Sequence, residues 1–322
     1  MVALPFKKSV AKKSVTYLGL AGEKMPPTPF VLSPNVEPVW PPPHNGVFLD
    51  RLLDEVQNTS ITKRDLNIAE TLFRHRYLSV HHLSSLFFAD VDDKKFIGRK
   101  LEKLTSFRIL SSMGFSVSGK LAKTKIYYLD EGGATLLRVF RQRDLGDWRP
   151  AHNVRSLGYV FRLLIANELF VKLVRLTNFL AQGDGLGLFE IEPSLHLQDK
   201  LFLQPTAQFN FARDNGSKSI RCLVEVLRGN DIEYVPSKLR KYNDWYLRQN
   251  SGDPTVLFFI TEQEDQAANV DKMIAAMGLN ELHKWCRYTT DAHLASRTLD
   301  RAFFKIVRGE IEDIPVGIFT GV

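Results

Sequence analysis

Between Thr62 and Leu129 the apolar residues are spaced helically three times and then alternate, which limits this stretch to three helices followed by a hairpin. Thr62 is a helix-capping residue, and the run Lys63 to Arg76 carries an apolar stripe of Leu66, Ile68, Ala69, Leu72 and Phe73. Ser79 caps a second predicted helix, Val80 to Phe88, and Asp92 or Asp93 opens a third, Lys94 to Phe107. Strand-like runs at Ile109–Phe115 and 125–129 flank a turn, 116–124, that contains glycine and lysine. Three helices and a hairpin with a basic tip are the parts of a winged helix-turn-helix, which sets its third helix in the major groove of DNA.

On the third predicted helix, Ile97, Leu101 and Leu104 share one face, flanked by Phe96 and Phe107. Lys95, Arg99, Lys103 and Ser106 fall on the other face. Arg99 lies in the first half of the helix, where it is the candidate for bidentate readout of guanine. Lys94, Lys95, Lys100 and Lys103 are placed to hold phosphates without reading sequence. His81 and His82 open the second helix, where backbone contacts are expected, and Lys120, Lys123 and Lys125 follow in the wing. Asp90, Asp92 and Asp93 work against close phosphate approach at the start of the third helix.

Charge is concentrated in the same region. The chain carries 43 basic and 36 acidic side chains, and 14 of the basic against 8 of the acidic lie within 61–140. Residues 151–322 hold 20 basic and 21 acidic side chains, so the excess is local to the DNA-reader candidate and the preceding arm. Nothing approaches the ~18 consecutive apolar residues of a membrane span. Cys222 and Cys286 read as reduced, buried thiols, and no Cys/His spacing suits a metal. No cofactor is implied, and a cytoplasmic location is expected.

The expected fold class is α+β: a proline-rich basic arm over 1–48, the winged helix over 49–140, a linker over 141–151 and a mixed α/β domain over 152–322. Nine of the 15 prolines fall in the arm, a density that no helix or central strand tolerates. The last part starts with an amphipathic helix at about 152–180. Strands are expected over 186–197, 201–211, 219–227 and 255–261, with helices near 234–250 and 264–277 and a strand near 285–289. The aromatic run Tyr242, Trp245 and Tyr246 has helical spacing that suits core packing better than base stacking.

This second half holds parts of a nuclease-like pattern. Phosphodiesterases of the PD-(D/E)xK type carry an Asp on one strand and Glu-x-Lys on the next, the carboxylates holding a divalent metal. Here Thr206 follows Pro205 where Asp would stand, and Leu227 stands where Lys would. Glu190 or Glu192 and Glu225 remain as an acidic pair, with Lys238 on the following helix, so these positions read as vestigial and no catalytic or metal role is assigned. The expected role of Glu225 is structural, paired to Arg228 or Lys238.

His152, Pro205-Thr206-Ala207, Glu225-Val226-Leu227-Arg228-Gly229 and Lys238-Leu239-Arg240-Lys241-Tyr242, together with the winged-helix pattern, resemble the replication-relaxation family over about residues 61–250. That family pattern has Pro-Asp and Glu-Val-Asp-Arg, from which Thr206 and Leu227 depart. Its members are encoded on bacterial plasmids and mobile elements and are similar to mobilisation accessory proteins. The resemblance implies a DNA-associated role in the replication or transfer of such an element, or in its regulation, with the nuclease-like fold used for binding or assembly. The expected function is non-catalytic binding of double-stranded DNA, with a relaxase or replication protein as the candidate partner and a homodimer expected where two winged helices gain avidity on repeated half-sites. The competing expectations are a metal-dependent endonuclease or nickase using Glu190 and Glu225, and a scaffold whose winged helix contacts protein.

Overall fold

The computed structural model describes residues 36–41, 49–91, 93–117, 120–121, 125–178, 180, 184–197, 200–228, 233–248, 255–314, 316 and 319. The fold is α+β. A short strand β1 (Val36–Val39) precedes helix α1 (Leu49–Gln57) and then α2 (Lys63–His75), strand β2 (Leu78–Ser79), α3 (Val80–Phe87) and α4 (Lys94–Ser106). Strands β3 (Leu110–Val117), β4 (Lys120–Leu121) and β5 (Ile126–Leu129) follow, closed by α5 (Glu131–Arg141).

Local chemistry sets these helix ends. Asp65 accepts from both the backbone N–H and the hydroxyl of Thr62, at 2.8 and 3.0 Å, which closes a capping box at the start of α2. Ser79 accepts from the His82 N–H at the start of α3, and Asp93 accepts from the Lys95 N–H at the start of α4. Helices α2, α3 and α4 therefore each begin where the capping residue stands, whereas α1 is not among the helices expected from the sequence. The strand β1 comes from the proline-rich arm: it adds to the edge of the sheet, antiparallel to β3, where Pro38 lacks a donor without breaking a central ladder.

A turn of 3-10 helix (Pro150–Asn153) leads into the longest helix, α6 (Leu157–Thr177). The amphipathic helix expected at 152–180 is instead buried on most of its circumference, with Leu157, Phe161, Leu164, Ile165 and Leu169 all in the core. One side packs on Met113, Phe115, Ile126 and Tyr128 of β3 and β5; the other covers Phe209, Phe211, Val224 and Val226 of the second sheet. One hydrophobic cluster thus crosses the expected boundary at 141–151.

The second sheet begins with β6 (Gly185–Ile191), followed by a separate hairpin of β7 (Leu195–Leu197) and β8 (Lys200–Leu203), then β9 (Ala207–Arg213) and β10 (Lys218–Val226). The two long strands expected at 186–197 and 201–211 are each interrupted at a proline, Pro193 and Pro205, because proline cannot donate to the ladder. Helix α7 (Val235–Arg248) leads to β11 (Thr255–Thr261), and α8 (Glu264–Ala276) and α9 (Asn280–Trp285) lead to β12 (Cys286–Thr290). Helix α10 (Asp291–Ser296) and strands β13 (Phe304–Val307) and β14 (Glu310–Asp313) complete the order. The sheet runs β14-β13-β12-β11-β10-β9-β6, parallel across β10, β11 and β12 and antiparallel elsewhere. Alternation along β10 sends Cys222, Val224 and Val226 toward α6, and Leu223 and Leu227 toward α7 and α8.

Candidate nucleic-acid interface

Helix α4 divides as its sequence requires. Ile97, Leu101 and Leu104 are buried, while Lys95, Arg99, Lys103 and Ser106 are exposed together with Glu102. Arg99 is 74% exposed and makes a loose 3.7 Å pair with Asp93. The Lys103 ammonium lies 5.6 Å from the Phe107 ring centre, and the Ser106 hydroxyl donates to the Lys103 carbonyl. Lys100 behaves differently. Its ammonium donates to Asp65 at 2.7 Å, and Asp65 is fully buried. This lysine therefore ties α4 to the start of α2 rather than standing ready for phosphate.

The two histidines of α3 do not project into solvent as expected. His82 is buried, its Nδ1 accepts from the Ser79 N–H, and its Nε2 lies 3.0 Å from Glu168 on α6. Burial pushes the Glu168 carboxyl up, but the His82 hydrogen bond and the charges of His82, His81 and Lys172 prevail and hold it near 2. His81 is half-buried, and that burial lowers its pKa. In the hairpin, Lys125 is exposed; Lys94 starts α4 and Lys120 lies in β4, and Lys123 lies outside the described residues.

A second group joins α2 to α6. The Asn167 amide donates to the carbonyls of His75 and Tyr77, so its oxygen accepts from His75 Nδ1, at 2.9 Å. The imidazole stacks on Phe170, and burial, ahead of all other influences, lowers its pKa to about 4. Arg76, next in sequence, has φ +63° and ψ −59°, the centre of a γ-turn closed by the Tyr77 N–H and the His75 carbonyl at 2.8 Å. A non-glycine residue there stores about 1–3 kcal/mol of strain. Its guanidinium faces Glu192, itself at φ +50°, at 3.7 Å.

The nuclease-like positions gather at one end of the second sheet. Val226 N–H donates to the Thr206 hydroxyl, and Glu192 N–H donates to the Thr206 carbonyl, so Thr206 lies between Glu192 and the end of β10. Glu225 is buried and points to α7, where both of its oxygens accept from Lys238, at 3.0 and 2.9 Å, and one from the Tyr242 hydroxyl at 2.6 Å. Glu190 is exposed and accepts from Gln208, two residue pairs further along the strands. Of the two acidic candidates on this strand, Glu192 is the one bonded to Thr206, and Glu190 is set apart. Arg228 does not hold Glu225; it pairs with Asp291 at 2.6 Å, both buried. Burial raises the Asp291 carboxyl to about 6 against the pull of that guanidinium.

Tyr242 and Trp245 are core residues, and both cysteines are buried free thiols whose pKa burial raises. Among the described residues, no group of three or more His, Cys, Asp or Glu is disposed to hold a metal, and no helix is long and apolar enough to cross a membrane. Comparison with protein-family models, curated proteins and solved structures finds no match for this chain.

Proposed function

We propose that this protein binds duplex DNA without cutting it, through a winged helix-turn-helix formed by α2, α3, α4 and the β3–β5 hairpin. The observation that carries the reading is the two-sided character of α4: an apolar face sunk in its own core and an outer face on which Lys95, Arg99, Lys103 and Ser106 are exposed. Lys94, Lys120, Lys123 and Lys125 supply phosphate contacts around it in this reading. The resemblance to the replication-relaxation family supports a role for such binding in a mobile element, with a relaxase or replication protein as partner and pairing of two copies on repeated half-sites.

A metal-dependent nuclease is less well supported. Glu225 already satisfies a lysine and a tyrosine, and Thr206 brings a hydroxyl where a carboxylate would hold a divalent ion. The test is retention of random-sequence duplex DNA over a salt series, with EDTA and then with Mn²⁺. Intact DNA held with a steep salt dependence is the expected result. The combined Lys95→Ala, Arg99→Ala, Lys103→Ala variant should flatten the log–log slope by about 0.9 for each phosphate that it no longer neutralises. Absence of binding at low salt, or an unchanged slope in that variant, refutes the reading. Strand cleavage with Mn²⁺ that Glu225→Ala removes would replace it with the nuclease.

A further inference from the structure

Two cavities are lined by residues on either side of the end of β6, one by α2 and the 143–155 segment and the other by α6, the end of β8 and α7. The first, about 570 Å³, is lined by Arg74, Arg76, Arg143 and Arg155 with Trp148 and Phe73. The second, about 400 Å³, is lined by Arg162, Lys238 and Lys241 with Gln204. Glu192 links them: it lines the second cavity and pairs with Arg76 from the lining of the first and with Arg162 from the lining of the second.

The carboxylates here are outnumbered. Glu70 is shared by Arg74 and Arg143, at 2.7 and 3.3 Å. Glu192 is shared loosely by Arg76 and Arg162 at 3.7 and 3.9 Å and accepts from the Tyr159 hydroxyl, so it keeps a partner when a phosphate draws the guanidiniums away. Arg155 is exposed and lies against the Tyr159 ring. Asp147 and Glu190 are the carboxylates lining the first cavity, both exposed, and Glu225 lies behind Lys238. Strain adds a further sign, because Arg76 occupies a backbone conformation that favours glycine yet presents a guanidinium to the cleft.

We propose that the two cavities form a track for a single strand of nucleic acid, with guanidinium and ammonium groups on successive phosphates and a base stacked on Trp148. Cations spaced along a groove with an aromatic face between them are the elements of sequence-tolerant single-strand binding. The track shares no residue with α4, so it is a second nucleic-acid site and does not depend on duplex binding.

The experiment is fluorescence anisotropy of a labelled twelve-nucleotide oligothymidylate with the full chain, AMP serving as competitor. The double variant Arg74→Ala, Arg155→Ala removes two exposed side chains outside the apolar clusters. It should weaken oligonucleotide binding about tenfold or more and flatten its salt slope by about 1.4. Lys95→Ala, Arg99→Ala should leave that affinity within about twofold, since both residues lie on α4 and line neither cavity. The proposal fails if the wild-type chain does not bind the oligonucleotide, if the cleft variant binds it like wild type, or if the α4 variant weakens it equally. AMP bound as tightly as the oligonucleotide would replace the track with a single-nucleotide pocket. Failure of duplex binding in a parallel titration would refute the function proposed for α4 and leave these outcomes unaffected.

Discussion

Arg99 and Lys100 are neighbours with the same charge and opposite circumstances. Arg99 is 74% exposed, so Arg99→Ala should leave the unfolding midpoint nearly unchanged while costing about 1–3 kcal/mol of discrimination between DNA sequences if it reads a base. Affinities for a selected site and a scrambled one, compared in both proteins, measure this. Lys100 instead neutralises Asp65, whose side chain has no exposed surface. Lys100→Ala leaves that carboxylate buried without its cation, and a loss of about 3–5 kcal/mol in stability is expected by chemical denaturation. A variant of normal stability with selectively weakened DNA binding would reverse the assignment and return Lys100 to the phosphate contacts.

At the scale of the element, the question is what holds α4 and the hairpin in register. Helix α5 closes that unit, and its first turn lies directly on the backbone before β3. A Cβ on Gly133 would stand 2.3 Å from the Ile109 carbonyl oxygen and 2.6 Å from a Leu129 methyl. No rotamer change relieves a clash with a backbone oxygen, so Gly133→Ala must push α5 outward. We expect a loss of about 3 kcal/mol or more, at the upper end of overpacking costs, seen as a lowered denaturation midpoint. Alanine at Gly98, where a Cβ would meet nothing within 4 Å, is the control and should be neutral or slightly stabilising in its helix.

Across the whole molecule, α6 is the shared beam: the β3–β5 hairpin and the large sheet pack on its two sides. His75 and Asn167 lie in this joint, and the joint is pH-sensitive through His75. The unfolded imidazole takes up a proton near pH 6.5 and the folded one only near 4. Between these values the unfolded state binds more protons, so the contribution is fully present above about pH 6.5 and is lost as pH falls toward 4. The two pKa values separate the states by about 3 kcal/mol over that window. His75→Gln keeps a donor for Asn167 and does not titrate. Urea denaturation at pH 7 and 4.5 should therefore show wild type losing about 2–3 kcal/mol more than the variant. The raised carboxyl of Asp291 contributes the opposite slope in both proteins and cancels in the comparison. Equal losses in the two proteins would remove His75 from the joint's pH response.

What could be read from the chain alone was whatever depends on neighbours in sequence. Capping residues and 3.6-residue spacing located α2, α3 and α4 to within a residue or two, and alternation found β10 and β11, because those patterns are local. The expected strands 186–197 and 201–211 ran through Pro193 and Pro205, because apolar runs on either side of each proline concealed the interruption. What only the tertiary structure decided was the partner of each charged group. Lys95 and Lys100 have the same charge five residues apart on one helix, and burial of Asp65 opposite one of them gives them different tasks. Glu225 had two candidate partners in sequence, Arg228 and Lys238; the direction of its side chain toward α7 chose Lys238 and left Arg228 to Asp291. The arginine-lined cleft had only faint traces, Arg74 and Arg76 around His75 and the arginines of the 141–149 connector. Its walls come from segments more than a hundred residues apart, and only long-range packing brings their charges close enough to act together.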